Sequence, residues 1–192
     1  MKKKLLYIAT LLISVSIIGG GTIAYFTTED TARNVITAGG LGVEVIEQQE
    51  IDGVLQPYPS EPIKMMPGTS VSKIVSVQSL DQAVWVRMTY DITVLNEAKE
   101  ELQVSEEELD RMIEVSYDTE KWIEKEDWWY YPTTLKGGEI TEPLFESISF
   151  SGIEIGNEYQ GATIEFIVTA QAVQQANNGS AVMEAAGWPE KK

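Results

Sequence analysis

Two residue types are missing from the chain altogether: it has no cysteine and no histidine. Without cysteine there are no disulfides and no lipid-attachment site at a signal junction, so an exported domain would be held by its core alone. Without histidine, Ser–His and Cys–His catalytic pairs, HExxH zinc helices and every His-ligated metal site are excluded. Basic residues are scarce as well: 14 Lys and Arg stand against 30 Asp and Glu, a net charge of −16 over 192 residues. So acidic a chain repels phosphate backbones and has no basic patch to offset that, which argues against nucleic-acid binding. A hydrolase built from this composition would have to work with carboxylates alone, such as a glycosidase-like pair. With 30 acids any two can be paired on paper, so no catalytic residue is singled out and no enzymatic activity is expected. No D-x-D-x-D loop supports calcium, and neither a metal nor a cofactor is expected.

What the chain does have begins at its start. Lys2-Lys3-Lys4 is a compact positive region, and Leu5 to Ile18 (LLYIATLLISVSII) is apolar and uncharged. Gly19-Gly20-Gly21 then breaks the helix, and Thr22 and Ala24 place small residues before a cut. This is the layout of a cleavable secretory signal over residues 1–24, with cleavage between Ala24 and Tyr25. An uncleaved membrane anchor is the alternative, but the apolar run is short of the ~20 residues a bilayer span needs. Cleavage removes three lysines and leaves 168 residues carrying 11 basic and 30 acidic side chains, a net charge of −19. That length supports one domain with a substantial core. No second apolar run follows residue 24, and the end Trp188-Pro189-Glu190-Lys191-Lys192 shows no sorting-type pattern. The mature protein is therefore expected outside the cell or at its surface, touching the membrane only through the signal peptide before cleavage.

Past the signal the dominant period is two. Val35–Ala38, Leu41–Val45 and Val71–Gln78 read as extended segments, separated by Asp52-Gly53 and by Pro57, Pro59, Pro62 and Pro67-Gly68. Ala83–Val94 is the clearest strand. Val84, Val86, Met88, Tyr90, Ile92 and Val94 share one face and Trp85, Arg87, Thr89, Asp91 and Thr93 the other, so a sheet packed on a core with its back to water is predicted. Asn96–Glu108 changes period, and Ser105 with Glu108 forms a capping box for a short helix. Val115–Tyr117, Trp122-Ile123, Trp128–Tyr131, Leu144–Phe150, Ile153–Ile155 and Ala162–Ala172 continue as strands, with a turn at Lys136–Glu139. Ser180–Trp188 is predicted to be a short helix ending at Gly187. The fold class is all-β, an antiparallel jelly roll or sandwich with one or two short inserted helices. Its divisions are the signal (1–24), an extended N-terminal segment (25–37), the sandwich (38–176) and a tail (177–192).

Four stretches resemble one family. GGGTIAYF at residues 19–26, leading to a first strand from Ala38-Gly39-Gly40-Leu41, is similar to the signal junction of the TasA/camelysin family of Gram-positive exported proteins. Met66-Pro67-Gly68-Thr69, the helix start Ser105-Glu106-Glu107-Glu108-Leu109, and Tyr159-Gln160-Gly161-Ala162-Thr163-Ile164 follow in the family's order. The resemblance implies a jelly-roll domain, processing by a SipW-type signal peptidase after Ala24, and assembly with itself or with related matrix subunits into extracellular biofilm-matrix fibres. Some members are described as metallopeptidases, for which this chain shows no zinc signature.

Two functional segments follow from this reading. Tyr25–Asn34 is extended, lacks helical periodicity and opens with two aromatics; the resemblance to fibre proteins joined by donated strands implies that it acts as a donor strand completing a neighbour's sheet, with Tyr25, Phe26, Thr27, Thr28, Val35 and Ile36 as its assembly residues. The alternative is a disordered leader. Trp128-Trp129-Tyr130-Tyr131 and Trp85 offer a second kind of surface. Rings alternating across a strand let one pair pack inward while the other stacks on sugar or a partner, or all serve as core and edge cover.

Overall fold

A computed structural model of the chain describes residues 27–31 and 42–190. Within them the strands are β1 (Thr27–Thr31), β2 (Val43–Ile51), β3 (Val54–Pro57), β4 (Ile63–Lys64), β5 (Ser70–Ser79), β6 (Val84–Leu95), β7 (Ile113–Tyr117), β8 (Ile123–Lys125), β9 (Trp128–Leu135), β10 (Phe145–Phe150) and β11 (Thr163–Gln174). Among the described residues one α-helix, α1 (Glu106–Met112), leads straight into β7. The strands form two sheets, ordered β1-β11-β6-β9-β8 with β4 also on β11, and β3-β2-β5-β10-β7. Every pairing is antiparallel. The all-β sandwich expected from the alternation is the fold.

The core lies between the sheets and follows the period-two pattern. β6 and β11 pair without a break from Val84↔Gln174 to Leu95↔Thr163. Val84, Val86, Met88 and Val94 therefore share their face with Ile164, Val168, Ala170 and Ala172, all buried. Val75 and Val77 of β5 and Phe145 and Ile148 of β10 meet them from the other sheet. Each such side chain stabilises by ~1.5–3 kcal/mol before chain entropy is subtracted. Aromatic rings fill the gap: Tyr117 of β7 stacks on Trp129 of β9 in the other sheet with centroids 4.5 Å apart, and Tyr90 stacks on Phe166 of the neighbouring strand at 4.6 Å. The Tyr90 and Tyr117 hydroxyls bond to each other, so both polar tips are satisfied inside.

Four local expectations are corrected. The back of β6 does not face water along its first half: Trp85, Arg87 and Thr89 are buried. The helix begins only at Glu106, capped by Ser105 Oγ accepting from the Glu108 N–H. Upstream, Glu100 N–H donates to Asn96 Oδ1 and Leu102 N–H to the Val94 carbonyl, which ties residues 96–102 into a turn beside β6 instead. Ile153–Ile155 is not a strand, because Ser151 Oγ accepts from the N–H groups of Ile153 and Glu154 and curls the chain there. Ser180–Trp188 is not a helix either; it holds a single 3-10 turn, Val182–Glu184. Asn178 explains this: its amide donates to the Ala186 carbonyl and accepts from the Ala186 N–H, pinning the tail flat across the outer face of β6 and β9. The predicted segment Val35–Ala38 lies outside the described residues.

Candidate functional site

The outer edge of β11 is where the N-terminal segment meets the domain. β1 pairs with the second half of that edge, from Thr27↔Val173 to Thr31↔Thr169. β4 takes the first two residues of β11, with Ile63↔Ile164 and Lys64↔Thr163. Of the expected donor residues, Thr27 and Thr28 lie in β1 on this edge. Tyr25, Phe26, Val35 and Ile36, and the cleavage position Ala24–Tyr25, lie outside the described residues.

Between β4 and β1 a cavity of about 180 Å³ opens into the gap between the sheets. Its wall is formed by Tyr58, Pro62 and Phe166, and Lys73 and Glu47 also line it. Lys73 and Glu47 project from neighbouring strands β5 and β2 on the core-facing side. The Lys73 Nζ lies 2.5 Å from Glu47 Oε1, and its side chain is only 3 % exposed. The ammonium also sits 3.9 Å from the centre of the Tyr58 ring. Burial pushes Lys73 below the usual lysine range, and Glu47 pulls it back up. Burial likewise raises Tyr58. Val71, Lys73, Val75 and Val77 occupy alternate positions of one strand, so a lysine on an otherwise apolar face was the available sequence signal for this pair. The sequence reading passed over it.

The aromatic strip on β9 divides as the alternation requires. Trp129 and Tyr131 point between the sheets and belong to the main core. Trp85, Trp128 and Tyr130 point the other way and form a second cluster with Val173 and Val182. All five rings are buried, at 4 to 8 % exposure. The outward three are covered by the chain's own tail, so none of the five offers an open face to a sugar in this structure. Arg87 is the centre of that arrangement. Its guanidinium lies 3.9 Å from the Trp128 ring centre and 4.8 Å from that of Trp188. It donates to Gln171 Oε1 from both Nε and Nη2, to Tyr130 Oη, and to the Pro189 carbonyl. Trp85 Nε1–H reaches the Asn178 carbonyl at 2.9 Å.

Carboxylates elsewhere are held by tyrosines. Tyr131 donates to Glu142, and burial together with this bond pushes the phenol up to about 12. The same bond holds the Glu142 carboxyl below the usual range. Tyr159 donates to Glu108 at 2.6 Å, which raises the phenol to about 12. Among the described residues no three Asp, Glu, His or Cys side chains are placed to hold a metal ion. With no histidine or cysteine in the chain, the residues present do not fit a catalytic zinc centre. No helix among the described residues is long and apolar enough to cross a membrane.

Comparison with known proteins gives one match. The family model described as camelysin metallo-endopeptidase matches residues 1–179. No curated protein and no solved structure matches.

Proposed function

The chain belongs to the camelysin metallo-endopeptidase family, which includes TasA, and from that premise we propose that it is an exported structural subunit of extracellular matrix fibres, joined by donation of its N-terminal strand. The observation that carries this reading is the seat of β1. It is an outermost strand on β11, it is five residues long, and 10 residues separate it from the next described residue, Gly42. An edge strand that 10 residues of chain separate from Gly42 can occupy the same edge in another copy. Main-chain bonds then join the subunits, each contributing ~0.5–1.5 kcal/mol net. The contact is heterologous and does not close on itself, so it propagates as a filament.

The family name suggests proteolysis, but the donor set does not fit the metal that would supply it. The role proposed is therefore non-enzymatic. Export runs through cleavage at Ala24–Tyr25, which frees the donor segment and couples secretion to assembly. The test compares mature chain starting at Tyr25 with chain starting at Val35. Fibres seen by negative-stain microscopy are expected from the first and not from the second; equal rates of fibre growth would overturn strand donation. Turnover of casein that follows the pure protein through two columns and is abolished by a chelator would overturn the non-enzymatic role.

A further inference from the structure

The cavity beside β4 has one wall that is fixed before anything enters it. The crossing segment Tyr58-Pro59-Ser60-Glu61-Pro62 forms that wall and is tied at both ends. Tyr58 N–H donates to the Glu47 carbonyl at 2.9 Å, and directly after Pro62 the short strand β4 pairs with Thr163 and Ile164 of β11. Pro59 and Pro62 each lock a φ angle near about −65°, so the five residues keep little freedom between their ties. A site built this way stands open without a ligand to shape it.

The lining is of two kinds. Tyr58, Pro62, Ile63, Ile164 and Phe166 supply ring and alkyl carbon, and Tyr58 and Phe166 are only half-buried. Lys73 and Glu47 supply a donor and an acceptor side by side, joined at 2.5 Å and neutral as a pair. Their mutual bond uses one ammonium hydrogen and one carboxylate oxygen, and both groups have further bonding capacity. A hydroxyl can therefore accept from Lys73 while its neighbour on the same ring donates to Glu47.

Charge narrows the ligand. Glu61 is exposed and Glu165 half-buried, so the open side of the cavity carries two more carboxylates. They repel an anion, as does a chain of net charge −16. A cation would meet the Lys73 ammonium. An aliphatic or aromatic side chain from a protein would fill the space but leave Lys73 and Glu47 facing carbon, which costs their solvation. A neutral ring with C–H faces and adjacent hydroxyls suits every surface, and about 180 Å³ is room for one such ring.

We propose that this cavity binds a single neutral sugar residue, with ring C–H groups against Tyr58 and Phe166 and vicinal hydroxyls on Lys73 and Glu47. The ligand class is a terminal or branching residue of a neutral polysaccharide. The site is independent of strand donation, because every residue that makes it belongs to the sandwich.

Saturation-transfer NMR on mature chain starting at Tyr25 is the test, since it reads monomer and fibre alike. The probes are methyl β-glucoside, methyl β-galactoside and the anionic methyl glucuronide. At least one neutral glycoside should bind with a dissociation constant of roughly a millimolar, with saturation strongest at ring C–H protons. The glucuronide should bind at least tenfold more weakly. Phe166→Leu should weaken the neutral sugar severalfold. Because Phe166 also packs on the core, exposed Glu61→Gln is read beside it: this variant should leave the neutral sugar unchanged and strengthen the glucuronide severalfold. No transfer to either neutral glycoside, or equal binding of neutral and anionic sugars, would overturn the proposal. Tighter binding of N-acetylphenylalaninamide would also overturn it, by assigning the cavity to a side chain of a protein partner. Each of these outcomes leaves strand donation standing.

Discussion

Lys73 and Arg87 are both buried cations, one in each sheet, and the protein buries them by different means. Lys73 lies on the inner face of β5 with a carboxylate 2.5 Å away and a tyrosine ring beneath it. Arg87 lies on the outer face of β6, and its partners among the described residues are neutral: two oxygens of side chains, one carbonyl and the rings of Trp128 and Trp188. The contrast follows from their chemistry. An ammonium is a compact, strongly hydrated charge, and between two apolar sheets only an opposite charge offsets its desolvation. A guanidinium is planar, weakly hydrated and carries a fixed fork of donors, so stacking and neutral acceptors suffice. The inner site therefore depends on one pair, and the outer site on a whole tail that lies over it.

The largest effect should come from breaking the inner pair on one side. Glu47→Gln leaves the Lys73 ammonium buried without its charge partner and should cost about 3–5 kcal/mol, read from urea unfolding. Replacing both, with Lys73→Met and Glu47→Leu together, should recover most of that loss. A double variant no more stable than Glu47→Gln would mean the pair is not what holds this part of the core.

Arg87→Lys comes next. Lysine keeps the charge but loses the double bond to Gln171 and the flat stack between two indoles, and should cost about 1.5–3 kcal/mol. A cost below about 0.5 kcal/mol would erase the distinction drawn between the two sites. Trp188→Ala should be milder, about 1–2 kcal/mol, since it removes one half-buried ring from the outer stack and leaves Trp128 in place. Its sharper readout is quenching of Trp128 and Trp85 fluorescence by iodide, which should rise as the tail loosens; unchanged quenching would mean Asn178 alone holds the tail down.

Tyr159 gives the smallest effect and a third way to bury charge chemistry, a neutral hydroxyl holding a carboxylate. Its phenol titrates at about 12 in the fold against ~10 when unfolded. The bond to Glu108 therefore contributes fully below about pH 10 and is lost as pH rises through about 12. Wild-type chain should lose stability over that window by more than Tyr159→Phe does. Equal losses would remove Glu108 as the cause.

Much of this was readable in the sequence because it is written in local patterns. The alternation of β6 and β11, the turns at Asp52-Gly53 and Lys136–Glu139, the Ser105 cap and the family resemblance each depend on residues a few positions apart. The absences of cysteine and histidine needed no structure at all. Of the candidate site, the sequence indicated an extended N-terminal segment and an aromatic strip with rings on both faces. What it left undecided is how each was covered.

Those covers come from long range. Glu47 and Lys73 are 26 residues apart, Arg87 and Pro189 are 102 apart, and no periodicity announces either meeting. The tail shows the reason most plainly. Ser180–Trp188 has helix-forming residues, and in isolation its local preferences point to a helix. One side chain, Asn178, and an unsatisfied aromatic face on β6 and β9 decide otherwise, because covering Trp85, Arg87 and Trp128 is worth more than one marginal turn of helix. Local propensity set the strands; the need to bury polar and aromatic groups on the back of one sheet set the tail's path. Only the folded structure decided that β1 lies along the outer edge of β11.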